Sequence, residues 1–291
     1  MEVYIPNSAN KNVVKNLIIA AHKDDGEMIG LKGIYDSMNS NGSCAMIVLT
    51  DGGGCPTTGK YSGIGYDEMV QIRTEEQKKA AEAGKYNSLY LLERKSTDIK
   101  KMTKSALSEL VYILRQFSDL DTVYIHNPFD NHPTHQAAAQ IAITALRELK
   151  NNFDIKSVMQ EGGVNYLPPK KIVGVEVWGS LDWLPEKYKY IIDTSEAEKI
   201  ADELMGKFVS QNYVKKYDVA SKSRRYANAT FYESHNENVY GSISYGIDLT
   251  DFVLKSNKDV KDSPVDKRII GYNYGYMANR SEYRNPAAIE S

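Results

Sequence analysis

The sequence predicts an α/β fold with a mainly parallel sheet covered by helices on both faces. Three observations carry this expectation. Short continuous apolar runs, too short for helices, alternate with longer stretches of helical periodicity. The first, second and fourth runs end in polar or glycine-rich residues. Four such strand–helix units follow in series, and right-handed crossovers assemble units of this kind into a buried parallel sheet. The expected class is therefore a Rossmann-like three-layer fold.

Asn16 to Ala21 (NLIIAA) reads as the first strand, followed by a helix-like stretch from Glu27 to Met38. Cys44 to Thr50 (CAMIVLT) is the second. It leads into a Gly-rich loop and a helix from Tyr66 to Ala83, rich in Glu, Lys, Gln and Ala and stopped by Gly84. Ser88 to Leu92 is the third strand, after which Leu107, Leu110, Val111, Leu114 and Phe117 keep helical spacing. Thr122 to His126 is the fourth, and Ala138, Ile141, Ala142, Ala145 and Leu149 mark one face of the helix behind it. Past about residue 150 the regularity fades. A loop with Pro168-Pro169 precedes a strand from Ile172 to Trp178, and a short strand Tyr190 to Ile192 follows. Asp193-Thr194-Ser195 with Glu198 reads as a capping box opening a helix that runs to about Val209. From Gln211 the chain is polar and tyrosine-rich without clear periodicity. With no repeat or linker, residues 1–291 are expected to form one domain, whose C-terminal segment adds strands and helices near the site.

Composition narrows the function. In 291 residues, 36 Lys and Arg face 38 Asp and Glu, a net charge of −2, so no basic surface for nucleic acid is expected. The two cysteines, Cys44 and Cys55, are too few for a disulfide framework or a thiolate zinc site. The first residues lack a secretory pattern and no run is long enough to span a membrane, so the expected location is cytoplasmic and the expected partner a small molecule. Homo-oligomerisation is left open. The five histidines stand at 22, 126, 132, 135 and 235, three of them within ten residues.

Ligands of open parallel sheets bind beyond the carboxyl ends of the strands. His22, Asp24 and Asp25 follow the first strand, Thr50-Asp51-Gly52-Gly53-Gly54 the second, and His126 closes the fourth, ahead of Asn127-Pro128-Phe129-Asp130-Asn131-His132-Pro133-Thr134-His135. Taken singly, each has an ordinary reading: His135 as a packed helix residue, Asp24 and Asp25 as N-cap acids, His126 as a strand-end residue bonded to backbone. Together on one rim they favour a metal site, because two imidazoles and a carboxylate leave a position open for water, as catalytic zinc requires. Alternation along the strand does not choose between Asp24 and Asp25 as the ligand.

These residues also carry a resemblance. Ala21-His22-Lys23-Asp24-Asp25 resembles the Ala-His-Pro-Asp-Asp signature of the PIG-L/LmbE-like zinc-dependent N-deacetylases. Pro128 to His135 resembles their second motif, Pro-X-Asp-X-His-Pro-Asp-His. Arg73 with Glu76 is similar to the family's Arg-X-X-Glu, and Ser210-Gln211 to a late Ser-Gln pair, so the likeness extends over about residues 15 to 211. It implies that His22, Asp25 and His135 bind zinc, or another divalent metal such as iron or manganese, and that Asp24 is the general base. A protonated His132 would then stabilise the oxyanion. The implied reaction is hydrolytic removal of acetyl from an N-acetylated amino sugar of the N-acetylglucosamine type, or its conjugate. Arg73 is expected either to hold substrate or to pair with Glu76 three residues on.

Three residues depart from the pattern. Lys23 stands for Pro, Gly26 for the usual Glu, and Thr134 for the Asp that orients the first histidine of the second motif, a role Asp130 is expected to take over. Glu233-Ser234-His235 is similar to runs in some bacterial relatives, and His235 is a candidate for closing over substrate. The rival readings are a non-haem iron oxygenase built on two histidines and a carboxylate, and a non-catalytic sugar-binding module on the same fold.

Overall fold

The computed structural model describes residues 1–55, 57–152, 167–232 and 239–255. Eight strands form one sheet: β1 (Glu2–Tyr4), β2 (Val14–Ala20), β3 (Ser43–Thr50), β4 (Ser88–Arg94), β5 (Thr122–His126), β6 (Lys171–Val175), β7 (Tyr190–Asp193) and β8 (Ile243–Asp248), in the order β1-β4-β3-β2-β5-β6-β8-β7. The pairings among β4, β3, β2, β5 and β6 are parallel. Those of β1 with β4, β6 with β8 and β7 with β8 are antiparallel. The class is α/β with a mixed sheet, so the expectation of parallel pairing describes its centre and gives way at both edges.

Strand alternation sorts the core into two layers. Leu17, Ile19, Ala45, Ile47, Val123 and Ile125 pack on one face against α5 (Lys104–Leu114) and α6 (Pro133–Asn152). Ile18, Ala20, Met46, Val48 and Leu91 pack on the other, against α1 (Asp25–Ile29), α2 (Leu31–Asn39), α3 (Tyr66–Ala83) and a later helix, α7 (Glu198–Met205). Both clusters are almost fully removed from water, which is why β2 and β3 read as unbroken apolar runs.

Several elements differ from the sequence expectation. The stretch from 27 to 38 is two helices, broken at Gly30, where a Cβ would stand 2.1 Å from Ile18 Cδ1. Gly26 is needed for a similar reason: a Cβ there would meet Met46 Cε at 2.4 Å, so the residue that replaces a family Glu lets α1 lie close on the sheet. The short helix α4 (Ser96–Lys100) and strand β1 were not foreseen. The capping box is not formed. Ser195 starts a 3-10 turn and gives its hydroxyl to Asp193, while Glu198 pairs with Arg225 on α9 (Tyr217–Tyr232). The region after Gln211 contains most of α8 (Val209–Lys215), then α9, β8 and α10 (Thr250–Leu254). Glu233, Ser234 and His235 lie outside the described residues. Among the described residues no helix is long and apolar enough to cross a membrane.

The strand order places β2 next to β5, while β3 and β4 extend to the other side of β2. The chain therefore leaves the carboxyl ends of β2 and β5 in opposite directions, and the crevice between them is where open α/β sheets bind ligands.

Candidate active site

β2 ends at Ala20, and the turn into α1 delivers His22, Asp24 and Asp25; β5 ends in His126, and the turn into α6 delivers Asp130, His132 and His135. Donor atoms from the two turns converge. His22 Nδ1 lies 2.9 Å from Asp25 Oδ2 and 3.2 Å from His135 Nε2, and His135 Nε2 lies 3.1 Å from Asp25 Oδ2. His132 belongs to the same cluster, with ring centroids 5.0 Å from His22 and 4.6 Å from His135. His22, His132 and His135 form one set of three donors able to hold a metal ion, and Asp25, His126 and His135 form a second. His126 is fully buried below, accepting the Ala21 N–H at 3.0 Å on Nε2, 3.6 Å from Asp25 Oδ2.

The two adjacent aspartates are driven apart electrostatically. Burial pushes Asp24 up to about 8 against the pull of Arg73. Burial acts on Asp25 in the same sense, but His135 and His22 outweigh it and hold that carboxyl well below its usual range. Burial lowers His135, yet Asp25 and Asp130 together raise it to about 10. Burial and the neighbouring imidazoles hold His132 down to about 4 and His126 to about 3. Burial first, and the charge on His135 second, act against protonation of His132, the state the family resemblance implies for it.

Asp130 is fully buried and lies behind the cluster. Its Oδ1 accepts the His132 backbone N–H at 2.8 Å and stands 3.3 Å from His135 Nδ1, and its Oδ2 accepts from the Trp178 and Gly179 backbone at 3.0 and 3.3 Å. It faces the ring of His135 rather than that of His132; the Nδ1 atoms of both rings are buried without a hydrogen bond, and Asp130 meets that of His135 as a charge at 3.3 Å.

Arg73, on α3, is 3 % exposed and donates to Asp24 Oδ1 at 3.1 Å, to the Lys23 carbonyl and to the Gly52 carbonyl. It does not pair with Glu76. That carboxylate accepts the backbone N–H and hydroxyl of Ser210 at 2.7 and 2.6 Å, so the two weakest motifs of the sequence meet each other in space. Lys23 turns away from the site into the protein, donating to the Asp51 carbonyl, Thr74 and Glu93.

A cavity of about 450 Å³ opens over these residues. Asp24 Oδ2 is buried beside it with no hydrogen-bond partner. The loop after β3 lines it with Gly52, Gly54 and Cys55. Lys95 and Lys100 at α4, Trp178 after β6, and Gln211, Lys215 and Tyr217 near the junction of α8 and α9 also line it, and of these the sequence reading names only Gln211, in its Ser-Gln pair. For Lys95 and Lys100 a signal existed: they follow the carboxyl end of β4.

Residues 17–146 match the family model described as PIG-L, GlcNAc-PI de-N-acetylase. No curated protein matches the chain in sequence. Among solved structures, the fold is similar to N,N'-diacetylchitobiose deacetylase from Pyrococcus horikoshii, with TM-score 0.61, 18% identity, and 83% of this chain and 87% of that one covered. It is equally similar by TM-score, 0.61, to GalB, the 4-carboxy-2-hydroxymuconate hydratase from Pseudomonas putida, at 13% identity over 81% of this chain and 96% of that one. The zinc-inhibited form of the teicoplanin deacetylase Orf2 matches with TM-score 0.51 and 15% identity over 81% and 99%.

Proposed function

We propose, from the match of residues 17–146 to the PIG-L family model, that this chain is a metal-dependent hydrolase that removes the acetyl group from an N-acetylated amino sugar or its conjugate. One observation carries the reading: three donor atoms of His22, Asp25 and His135 converge beside the unpartnered carboxylate oxygen of Asp24 at the edge of a cavity. The donor set fits a metal. Ligands at about 2.0–2.1 Å in a tetrahedron stand about 3.3 Å apart, and the three separations here are 2.9, 3.2 and 3.1 Å. Two imidazole nitrogens at 3.2 Å demand a positive centre, and a proton fills that demand where a metal does not.

His22, Asp25 and His135 would hold zinc or another divalent ion, which when bound polarises an amide carbonyl and lowers the pKa of water. The rest follows from the chain's own groups. Asp24 Oδ2 accepts the proton of the attacking water, while Arg73 on Oδ1 fixes the carboxylate's orientation. The same carboxyl then gives that proton to the leaving amine. His132, as a neutral ring, donates an N–H to the oxyanion that develops on the carbonyl. Asp130, 3.3 Å from His135 Nδ1, would favour a proton on that nitrogen and so leave Nε2 as the ligating atom. Trp178 and Tyr217, with ring centroids 4.7 Å apart at the cavity wall, offer apolar faces for a sugar ring. Two histidines and a carboxylate would also suit non-haem iron, but the family match points to neither an oxygenase nor a non-catalytic module.

The test is acetate release from a panel of N-acetylhexosamines and their conjugates, with and without a chelator. Acetate from at least one member, abolished by chelation and restored by zinc, is the expected result. A metal-loaded protein that releases acetate from none of them overturns the reading.

A further inference from the structure

The walls of the cavity carry more positive charge than a neutral sugar calls for. Of its carboxylates, Asp25 is engaged by His22 and His135, Asp24 by Arg73 at 3.1 Å, and Asp51 by the Tyr66 hydroxyl at 2.7 Å and the Gly53 N–H at 3.2 Å. Lys95, Lys100 and Lys215 also line it, and none of the three forms an ion pair with a carboxylate among the described residues. Lys215 is the most informative. It is half-buried at the end of α8, its ammonium donates to the Gln211 side-chain oxygen at 2.8 Å, and it stands 5.5 Å from the Tyr217 ring centre. Across the mouth, Lys95 lies 5.8 Å over the Tyr66 ring. An amide oxygen and two ring faces orient these ammonium groups without neutralising them. Lys95 and Lys100 are exposed at the mouth, and Lys215 alone is half-buried; a half-buried cation without an ion pair costs stability, and an anionic ligand offsets that cost. A divalent ion on His22, Asp25 and His135, which bring one negative charge between them, makes the cavity more positive still.

We propose that the cavity selects an amino sugar bearing an anionic substituent, a phosphate ester or a carboxylate, which Lys215 holds from one side and Lys95 and Lys100 from the other. The inference rests on the deacetylase reading for the identity of the sugar, and on the unpaired lysines alone for the charge.

Binding is measured by calorimetry on the full chain with three ligands that have no acetyl group to lose: glucosamine, glucosamine 6-phosphate and muramic acid. At low salt the better of the two anionic ligands binds at least about tenfold tighter than glucosamine, and the advantage shrinks as salt is raised. Which of the two is preferred distinguishes phosphate from carboxylate. Lys215→Met, checked for an unchanged fold by circular dichroism, brings the anionic-to-neutral ratio toward one, as does the double variant Lys95→Met/Lys100→Met. Equal affinity for all three ligands overturns the proposal, and so does a preference that survives both variants. Turnover separates the two readings. Equal kcat/KM for N-acetylglucosamine, its 6-phosphate and N-acetylmuramic acid overturns the anionic subsite and leaves deacetylation standing. Lysine-dependent binding of the anion without acetate release does the reverse.

Discussion

Lys23 takes the place of a proline in the first motif, and the structure shows what it has been recruited to do. Its side chain is 0 % exposed and that of Glu93, 3.0 Å away, is 26 % exposed. The ammonium also donates to the Asp51 carbonyl and the Thr74 hydroxyl, both at 2.7 Å, so one buried cation ties together β2, β3, β4 and α3. Removing either partner has unequal consequences. Lys23→Met deletes the charge itself and strands two uncharged acceptors, each worth about 1–2 kcal/mol. Relief of the ammonium's desolvation offsets part of this, for a net loss of about 2 kcal/mol. Glu93→Ala leaves the ammonium buried without its counterion, for which the usual cost is about 3–5 kcal/mol. The partial exposure of Glu93 admits some water, so about 3 kcal/mol is expected.

The double variant decides between this account and simple loss of contacts. Once Lys23 is gone, Glu93 has no buried charge to neutralise, and its side chain, 26 % exposed, turns its carboxylate to water. Lys23→Met/Glu93→Ala should therefore cost about 2 kcal/mol, the same as Lys23→Met alone, which amounts to about 3 kcal/mol of non-additivity. Equilibrium urea denaturation of the four proteins, read at one metal concentration, measures it. Additive losses, or a Glu93→Ala cost below about 1 kcal/mol, would refute the reasoning.

Two further outcomes follow from the site. Asp24→Asn should lower kcat about 10²–10⁴-fold with metal content unchanged by elemental analysis. In the metal-free protein it should also be stabilising: a carboxyl raised from 3.8 to about 8 on folding favours the native state fully only below pH 3.8, and that contribution is lost as pH rises toward 8. The advantage of the Asn variant, measured by thermal melts, should be absent near pH 4 and reach at least about 1 kcal/mol by pH 8; a pH-independent difference would count against the buried carboxyl. Asp130→Asn should weaken metal affinity or turnover about 10–100-fold, because Asp130 faces the His135 ring, and unchanged values of both would remove it from the site.

What could be read in advance was what strand ends dictate. His22, Asp24, Asp25, His126, Asp130, His132 and His135 sit where apolar runs stop, and the parallel centre of the sheet gathers those ends on one rim. Contacts made between distant segments were not legible. Nothing in the spacing of Glu76 and Ser210 says that they bond to each other, since the helix that carries Ser210 is brought to α3 by packing. The capping box failed for the same reason: Ser195 and Glu198 have the local pattern, but Asp193, the Gly241 backbone and Arg225 are better partners. Lys215 and Tyr217 reach the cavity from a stretch with no periodicity to follow.

Two neighbouring residues of one type are fitted to two tasks by a single backbone feature. Asp24 has φ 103°, a conformation that non-glycine residues seldom adopt, and α1 starts at the next residue. Such a turn between consecutive aspartates sends one carboxylate to His22 and His135 and the other to Arg73 and the cavity. The first is surrounded by imidazoles and stays ionised, as a metal ligand must be. The second is buried with one cation on one oxygen and nothing on the other, so it is basic and has a lone pair to use. An ordinary helix entry at Asp24 would point both acids differently, and the backbone strain persists because Arg73 and Gln77 hold the residue from α3. In the proposed reaction the ligand and the base would therefore be separated by the turn and by their surroundings, not by their chemistry.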